Sequence, residues 1–258
     1  MFNKKIPHIY LFGAPIHKLT MNETIQMIDE AIQKKEQMHQ VVVNAAKLVN
    51  MQKDEALRRS VVEGNIINAD GQSVVWASRL LKKPLPERVA GIDLMEHLVK
   101  LAADKNYKIF FLGAKEEVVL KVVDKYKIKY SPDIIAGYRN GYFAKEEEVT
   151  IAKQIAESGA DILFVAMTSP KKEIFLNNYK DLIQTPFIMG VGGSFDVVSG
   201  ITKRAPVWMQ KNGLEWFYRV MQEPKRMWKR YLVTNTLFIG YVLREIFRGP
   251  TEDKLAKN

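Results

Sequence analysis

The chain has 258 residues, 47% of them hydrophobic and 26% charged, which allows a sizeable α/β domain with an appendage and excludes wholesale disorder. It has no cysteine, so disulfides, zinc-thiolate sites and cysteine nucleophiles are excluded; its four histidines (His8, His17, His39, His97) stand singly without metal-ligand spacing. The formal charge of +10 implies an acidic partner, whether a nucleotide diphosphate, a nucleic acid or an anionic bilayer surface.

Near the N-terminus, Lys4 and Lys5 precede an apolar stretch, Ile9 to Ile16, which Gly13 and Pro15 interrupt, so no export signal is expected there. The same stretch is a candidate strand or hairpin. Thr20, with Glu23 three residues on, makes a capping box for a helix to about Lys35. From Val41 onward, short β-branched or aromatic runs alternate with amphipathic segments. The predicted strands are Val41 to Val43, Ile66 to Ala69, Lys108 to Leu112, Ile134 to Tyr138, Asp161 to Met167 and Phe187 to Gly190. Helical segments between them include Asp93 to Lys105, Glu116 to Tyr130 and Lys145 to Ser158. Such alternation predicts an α/β fold, a mainly parallel sheet with helices on both faces.

Ligands in such sheets bind beyond the carboxyl ends of the strands, where helix N-termini point their amides outward. Four strand ends carry polar or glycine signals. Asn44 follows the first predicted strand and can either hold a sugar hydroxyl or cap a helix. Asp70, before Gly71, stands where a general base could meet a sugar hydroxyl, or else caps the helix beginning near Gln72. Ser169-Pro170 opens a helix with Lys171 and Lys172 in its first turn. Cations are unfavourable there, so the presence of Lys171 and Lys172 hints at a bound anion, for which Ser169 and Lys172 are candidate ligands, the alternative being two solvated lysines. In Gly190-Val191-Gly192-Gly193, residues Gly192 and Gly193 could bring backbone amides to a diphosphate, or simply form a turn; with Phe195 at the sixth position this is no dinucleotide fingerprint.

Composition changes near Ile201, dividing residues 1–200 from an appendage, residues 201–258. Between Lys203 and Arg248 there are ten basic residues and three acidic ones, a net +7. Trp208, Trp216, Phe217, Tyr218, Trp228, Tyr231, Phe238, Tyr241 and Phe247 interleave with them, as in a helix lying in a membrane interface; the alternative is a solvated basic face over a packed aromatic core. The longest apolar run there, Tyr231 to Leu243, is too short to span and contains Thr234, Asn235 and Thr236. No Asp-X-Asp occurs, so a leaving diphosphate would be neutralised by arginine, lysine and backbone amides instead of a metal held by such a pair.

Several blocks in order resemble the WecG/TagA/CpsF family of bacterial glycosyltransferases over roughly Ile9 to Arg230. They are Asn68-Ala69-Asp70-Gly71, Glu87-Arg88-Val89-Ala90-Gly91-Ile92-Asp93, Phe111-Leu112-Gly113-Ala114, Gly141-Tyr142-Phe143, Gly190-Val191-Gly192-Gly193-Ser194-Phe195-Asp196 and Lys203-Arg204-Ala205-Pro206. Gly213-Leu214-Glu215-Trp216 follows, with Tyr218-Arg219 and Glu223-Pro224. The resemblance implies a Rossmann-like fold and an inverting, metal-independent hexosyltransferase without a cofactor. Its donor would be a UDP-sugar carrying N-acetylmannosamine, its uronic acid or glucose. Its acceptor would be a polyprenyl-diphosphate-linked (undecaprenyl) sugar, in cell-surface polysaccharide or teichoic acid synthesis. Asp70 would be the catalytic base, Asn44 part of the substrate pocket and Arg88 near the acceptor or phosphate site. Arg204 would also bind substrate, and Arg219 and Arg226 would lie in a membrane-binding segment. The implied location is the cytoplasm, peripherally on the inner face of the plasma membrane, with homo-oligomerisation left open.

Two departures touch the implied donor pocket. Many relatives have threonine where this chain has Val42, and many read Pro-Lys-Gln-Glu where it has Pro170-Lys171-Lys172-Glu173. Two other readings compete. A nicotinamide-dependent dehydrogenase would need a glycine fingerprint after an early strand and an acidic residue about 20 positions on, and neither is seen around Val41 to Lys47. A nucleic-acid-binding protein would bind oligonucleotides with steep salt dependence; no nucleic acid is expected as a partner.

Overall fold

The computed structural model describes residues 6–248, excepting the side chains of Arg226 and Arg248. The chain opens with a hairpin, β1 (His8–Leu11) and β2 (Ala14–His17), whose two-residue turn places Phe12 and Gly13 at φ 51° and 83°. Helix α1 (Met21–Lys34) follows behind the expected capping box, in which Thr20 and Glu23 bond reciprocally. Next come β3 (Met38–Val43), α2 (Ala45–Asn50), α3 (Glu55–Val62), β4 (Ile66–Ala69), α4 (Gln72–Leu80) and α5 (Gly91–Lys105). The second half runs β5 (Ile109–Gly113), α6 (Glu116–Lys129), β6 (Ile135–Arg139), α7 (Glu148–Glu157), β7 (Ile162–Ala166), α8 (Lys171–Ile183) and β8 (Phe187–Gly190). Four helices close the described chain: α9 (Ser194–Val198), α10 (Val207–Lys211), α11 (Glu215–Gln222) and α12 (Pro224–Arg248).

Strands β3 to β8 form one six-stranded sheet in the order β4-β3-β8-β7-β5-β6, parallel throughout. Side chains alternate across it. Met38, Val42, Phe111, Phe164 and Met189 face a core completed by α1, α5 and α6 through Ile28, Leu98 and Val122. Val41, Val43 and Ile67 face the opposite side, where the hairpin and α2 to α4 pack, while Leu163, Val165 and Ile188 meet α7 and α8. The α/β expectation therefore holds, with helices on both faces.

One strand exceeds its predicted extent for a physical reason. β3 begins three residues before Val41, and its buried Gln40 is held by its donor side: Gln40 Nε2 donates to Asn68 Oδ1 at 2.8 Å, and Asn68 donates to Thr24 Oγ1 at 3.2 Å, while Gln40 Oε1 and His39 Nδ1 make no hydrogen bond among the described residues. The bond from its amide nitrogen offsets part of the cost of burying Gln40.

Helix α12 is amphipathic in two directions. Met227, Thr234, Phe238, Val242 and Glu245 are buried; Phe238 and Val242 join the core of α2 and the hairpin, with Phe238 edge-to-face on Phe12 at 5.7 Å, and Lys83 pairs with Glu245 at 2.9 Å. Trp228, Leu232, Ile239, Leu243 and Ile246 recur at helical spacing and remain exposed. Phe238 and Tyr241, expected at a membrane interface, instead serve the hairpin contact. No helix among the described residues is long and apolar enough to cross a membrane.

Candidate active site

The chain just past β4 supplies the centre of the site. Asp70 N–H donates to the Val43 carbonyl at 2.9 Å, so the backbone leaves the sheet only after this residue. Helix α4 is capped by Gly71 without a side-chain bond, and Asp70 turns instead toward the start of α5, where its Oδ1 accepts from the Gly91 N–H at 3.0 Å. The free amides of a helix N-terminus favour a carboxylate there. Asp70 Oδ2 makes no hydrogen bond among the described residues, which leaves it able to take a proton from a bound hydroxyl. Val42 packs under this contact; a Cβ on Gly91 would stand 3.7 Å from its methyl groups.

Asn44 lies beside this turn. Its Oδ1 accepts from Lys47 N at 3.0 Å, so it caps α2, and its side-chain N–H groups make no hydrogen bond among the described residues. Gly71 suits this closeness, because a Cβ there would sit 3.3 Å from Asn44 Cβ, a tight contact. At the end of β8, Gly192 adopts φ 54°, a conformation that favours glycine, and Gly193 leads into α9.

Arginines from distant parts of the sequence converge on the same edge. Arg88 Nε donates to the Asp70 carbonyl at 2.6 Å, and its Nη2 bonds Glu215 of α11. Arg204 forms a two-pronged pair with Asp93 of α5 at 2.6 and 2.8 Å, and its Nε lies 3.8 Å from Glu215. A cleft lined by Ile92, Lys203, Arg204, Glu215 and Arg219 opens here, rich in cations with a single carboxylate. Arg226 lies on α12, its side chain outside the described residues.

The loop after β7 is arranged differently. Ser169 is exposed, and Lys171 Nζ lies 4.4 Å from the centre of the Phe143 ring. Lys172 is buried against Gly190 and pairs with Glu173 at 2.6 Å; Lys47 reaches the same carboxylate at 2.8 Å. The anion facing Lys172 is therefore an internal one. Burial, aided by Lys47, pushes the Lys172 ammonium down to about 8 against the pull of Glu173. Burial also opposes the charge of Glu173, but Lys47 and Lys172 overcome it and hold the carboxyl at about 2, below its ordinary 4.5.

That depression has a pH signature. The stability it contributes is full above about pH 4.5 and is lost as pH falls toward 2, because the unfolded chain takes up the proton first. Melting curves from pH 2 to 7 are expected to show Glu173→Gln with a flatter acid limb and a neutral-pH cost of about 3–5 kcal/mol. Parallel curves for the two proteins would refute the triad's role.

Asp70, Asn44, Arg88 and Arg204 thus gather at the carboxyl edge of β3 and β4, with Arg219 in the adjoining cleft, whereas Lys172 is buried against Gly190 and paired with Glu173. Sequence reasoning had not singled out Gly91, Asp93 and Glu215 as site residues, although each sits in a quoted block. Glu173 stood in the quoted Pro170-Lys171-Lys172-Glu173 run without a role of its own, and Lys47 gave no signal beyond residue type.

The sequence pattern of the Glycosyl transferase WecG/TagA/CpsF family matches residues 9–252. Among curated proteins, the chain is 45% identical over 168 residues to an N-acetylglucosaminyldiphosphoundecaprenol N-acetyl-beta-D-mannosaminyltransferase of Bacillus subtilis. It is 40% identical over the same length to a protein of that name from Bacillus spizizenii. Each match covers 65% of this chain and spans 64% of the relative's length.

Proposed function

The chain belongs to the WecG/TagA/CpsF family of glycosyl transferases, and on that premise we propose that it transfers a sugar from a UDP donor to a polyprenyl-diphosphate-linked acceptor. The names of the two Bacillus relatives favour N-acetylmannosamine as the sugar and N-acetylglucosaminyl-diphosphoundecaprenol as the acceptor. The observation that carries this reading is a carboxylate with one unbonded oxygen, Asp70 Oδ2, standing beside Arg88 and Arg204 at the sheet's carboxyl edge.

In this reading Asp70 accepts the proton of the acceptor hydroxyl as its oxygen attacks the anomeric carbon from the face opposite the leaving group. The bond from that carbon to the diphosphate breaks, UDP departs with the electron pair, and the configuration inverts. Arg88, Arg204 and Arg219, with the backbone around Gly192 and Gly193, offset the charge developing on the diphosphate. Asn44 offers its free amide hydrogens to a sugar hydroxyl, and Ser169 borders the same edge.

The acceptor's lipid requires the site to meet a bilayer. In this reading residues 1–200 form the catalytic part and residues 201–258 the membrane-associating part, which also lends Arg204 and Arg219 to the site, and the protein sits peripherally on the cytoplasmic face of the plasma membrane. The exposed stripe of Trp228, Leu232, Ile239, Leu243 and Ile246, flanked by Lys225 and Lys229, supports this assignment.

Incubation with a panel of UDP-sugars and a short-chain prenyl-diphosphate acceptor tests the reading. UDP release that depends on the acceptor is expected with at least one donor, and none with any donor would refute it. In the same assay EDTA is expected to leave the rate nearly unchanged, since cations of the chain offset the diphosphate charge. A collapse restored by Mg²⁺ or Mn²⁺ would contradict metal independence.

A further inference from the structure

Two routes lead away from Asp70, and they meet. From its backbone, the carbonyl accepts from Arg88 Nε at 2.6 Å, and Arg88 continues to Glu215. From its side chain, Oδ1 accepts from Gly91 N at the start of α5. Two residues further along that helix, Asp93 holds Arg204 by two bonds, and Arg204 Nε faces Glu215 at 3.8 Å. The loop is closed by one residue. Glu215 opens α11, in the C-terminal helical segment, whereas Asp70, Gly91 and Asp93 belong to the sheet domain.

We propose that Glu215 is a positioning residue, which fixes the Asp70 turn by hydrogen-bonding Arg88 while its charge faces Arg204, and so makes the turn's geometry depend on the docked C-terminal segment. The charges explain why a carboxylate is needed. Two guanidinium groups brought to one edge repel each other, and Asp93 offsets only one of them; Glu215 supplies the second negative charge between them. The side chains of Arg88 and Glu215 keep only 15% and 26% of their exposure, so solvent screens the pair weakly. A neutral amide at position 215 keeps the shape, leaves one positive charge uncompensated and frees Arg88 to swing away from the Asp70 carbonyl.

The proposal rests on Asp70 being the base of the proposed transfer, but its geometric part can be read without activity. In full-length Glu215→Gln, hydrogen exchange of the Gly91 amide is expected to quicken about tenfold, because its acceptor on Asp70 is no longer held. In the same variant kcat is expected to fall about 10- to 100-fold with the donor KM within about twofold, as for a reacting group misplaced by a fraction of an ångström. Glu215→Asp, which retains the charge, is expected to recover most of both. Glu245→Gln, which breaks the separate ion pair between α12 and Lys83, serves as the control for loosened docking and is expected to leave Gly91 exchange unchanged.

Unaltered Gly91 exchange in Glu215→Gln overturns the inference whatever the activity, as does equal acceleration in Glu245→Gln. Faster exchange in Glu215→Gln alone, in a protein whose unaltered form transfers no sugar, upholds the positioning role and refutes the sugar-transfer reading.

Discussion

Replacing Asp70 by asparagine is expected to lower turnover about 10²- to 10⁴-fold while the fold survives. Asparagine preserves the shape, and its carbonyl oxygen can still accept from Gly91 N, so the turn between β4 and α4 keeps its anchor. What it loses is the capacity to receive a proton at the position of Oδ2. Substrate binding is expected to change little, because Arg88 contacts the backbone carbonyl of residue 70 and not its side chain. The fall therefore belongs in kcat. Steady-state kinetics with a UDP-sugar and a prenyl-diphosphate acceptor, alongside thermal melting, decide the matter. More than half of normal turnover in a correctly folded variant would remove Asp70 from the role of base.

Ending the chain near Gly200 is expected to abolish binding to anionic vesicles and transfer to a lipid-linked acceptor together. With half of the segment's net +7 close to the leaflet, at roughly 1 kcal/mol per cation, the electrostatic part is about 3–4 kcal/mol, a few hundredfold in partitioning. Truncation also strips Phe238 and Val242 from the α2 and hairpin core and removes Glu215 from Arg88. A second variant separates these effects. Leu232→Ser, Ile239→Ser and Leu243→Ser combined alter only exposed positions, leave the buried side of α12 intact and are expected to weaken vesicle binding without unfolding. Raising salt is expected to release the intact protein only partly, since apolar insertion is not screened. Co-sedimentation with phosphatidylglycerol vesicles reads both variants. Binding equal to that of the intact protein would place the membrane contact elsewhere.

The order of elements was legible because it follows from local pattern: the capping box at Thr20 and Glu23, the apolar runs of β4 and β8, and the amphipathic stretch from Asp93 to Lys105 all formed within a few residues of their predicted bounds. The early part of β3 was hidden because His39 and Gln40 look like solvent residues until Asn68, distant in sequence and itself bonded to Thr24, is seen to accept from the Gln40 amide nitrogen. The site was legible one residue at a time but not as a network. Arg88 and Glu215 are separated by 127 positions and Arg204 and Asp93 by 111, and no local rule pairs side chains over such distances. Lys172 shows the opposite failure. A cation in the first turn of a helix reads locally as a sign of a bound anion, whereas burial joins it to its own neighbour Glu173, which Lys47 also reaches.

The central claim is sugar transfer to a lipid-linked acceptor, and the mass of the product tests it most directly. The full chain is incubated with UDP-N-acetylmannosamine and an N-acetylglucosaminyl-diphosphate carrying a short prenyl chain, and the lipid fraction is weighed by mass spectrometry. The expected result is an acceptor heavier by one N-acetylhexosamine residue, formed by the intact protein and nearly absent with Asp70→Asn. An acceptor of unchanged mass with this donor and every other UDP-sugar offered would contradict the account.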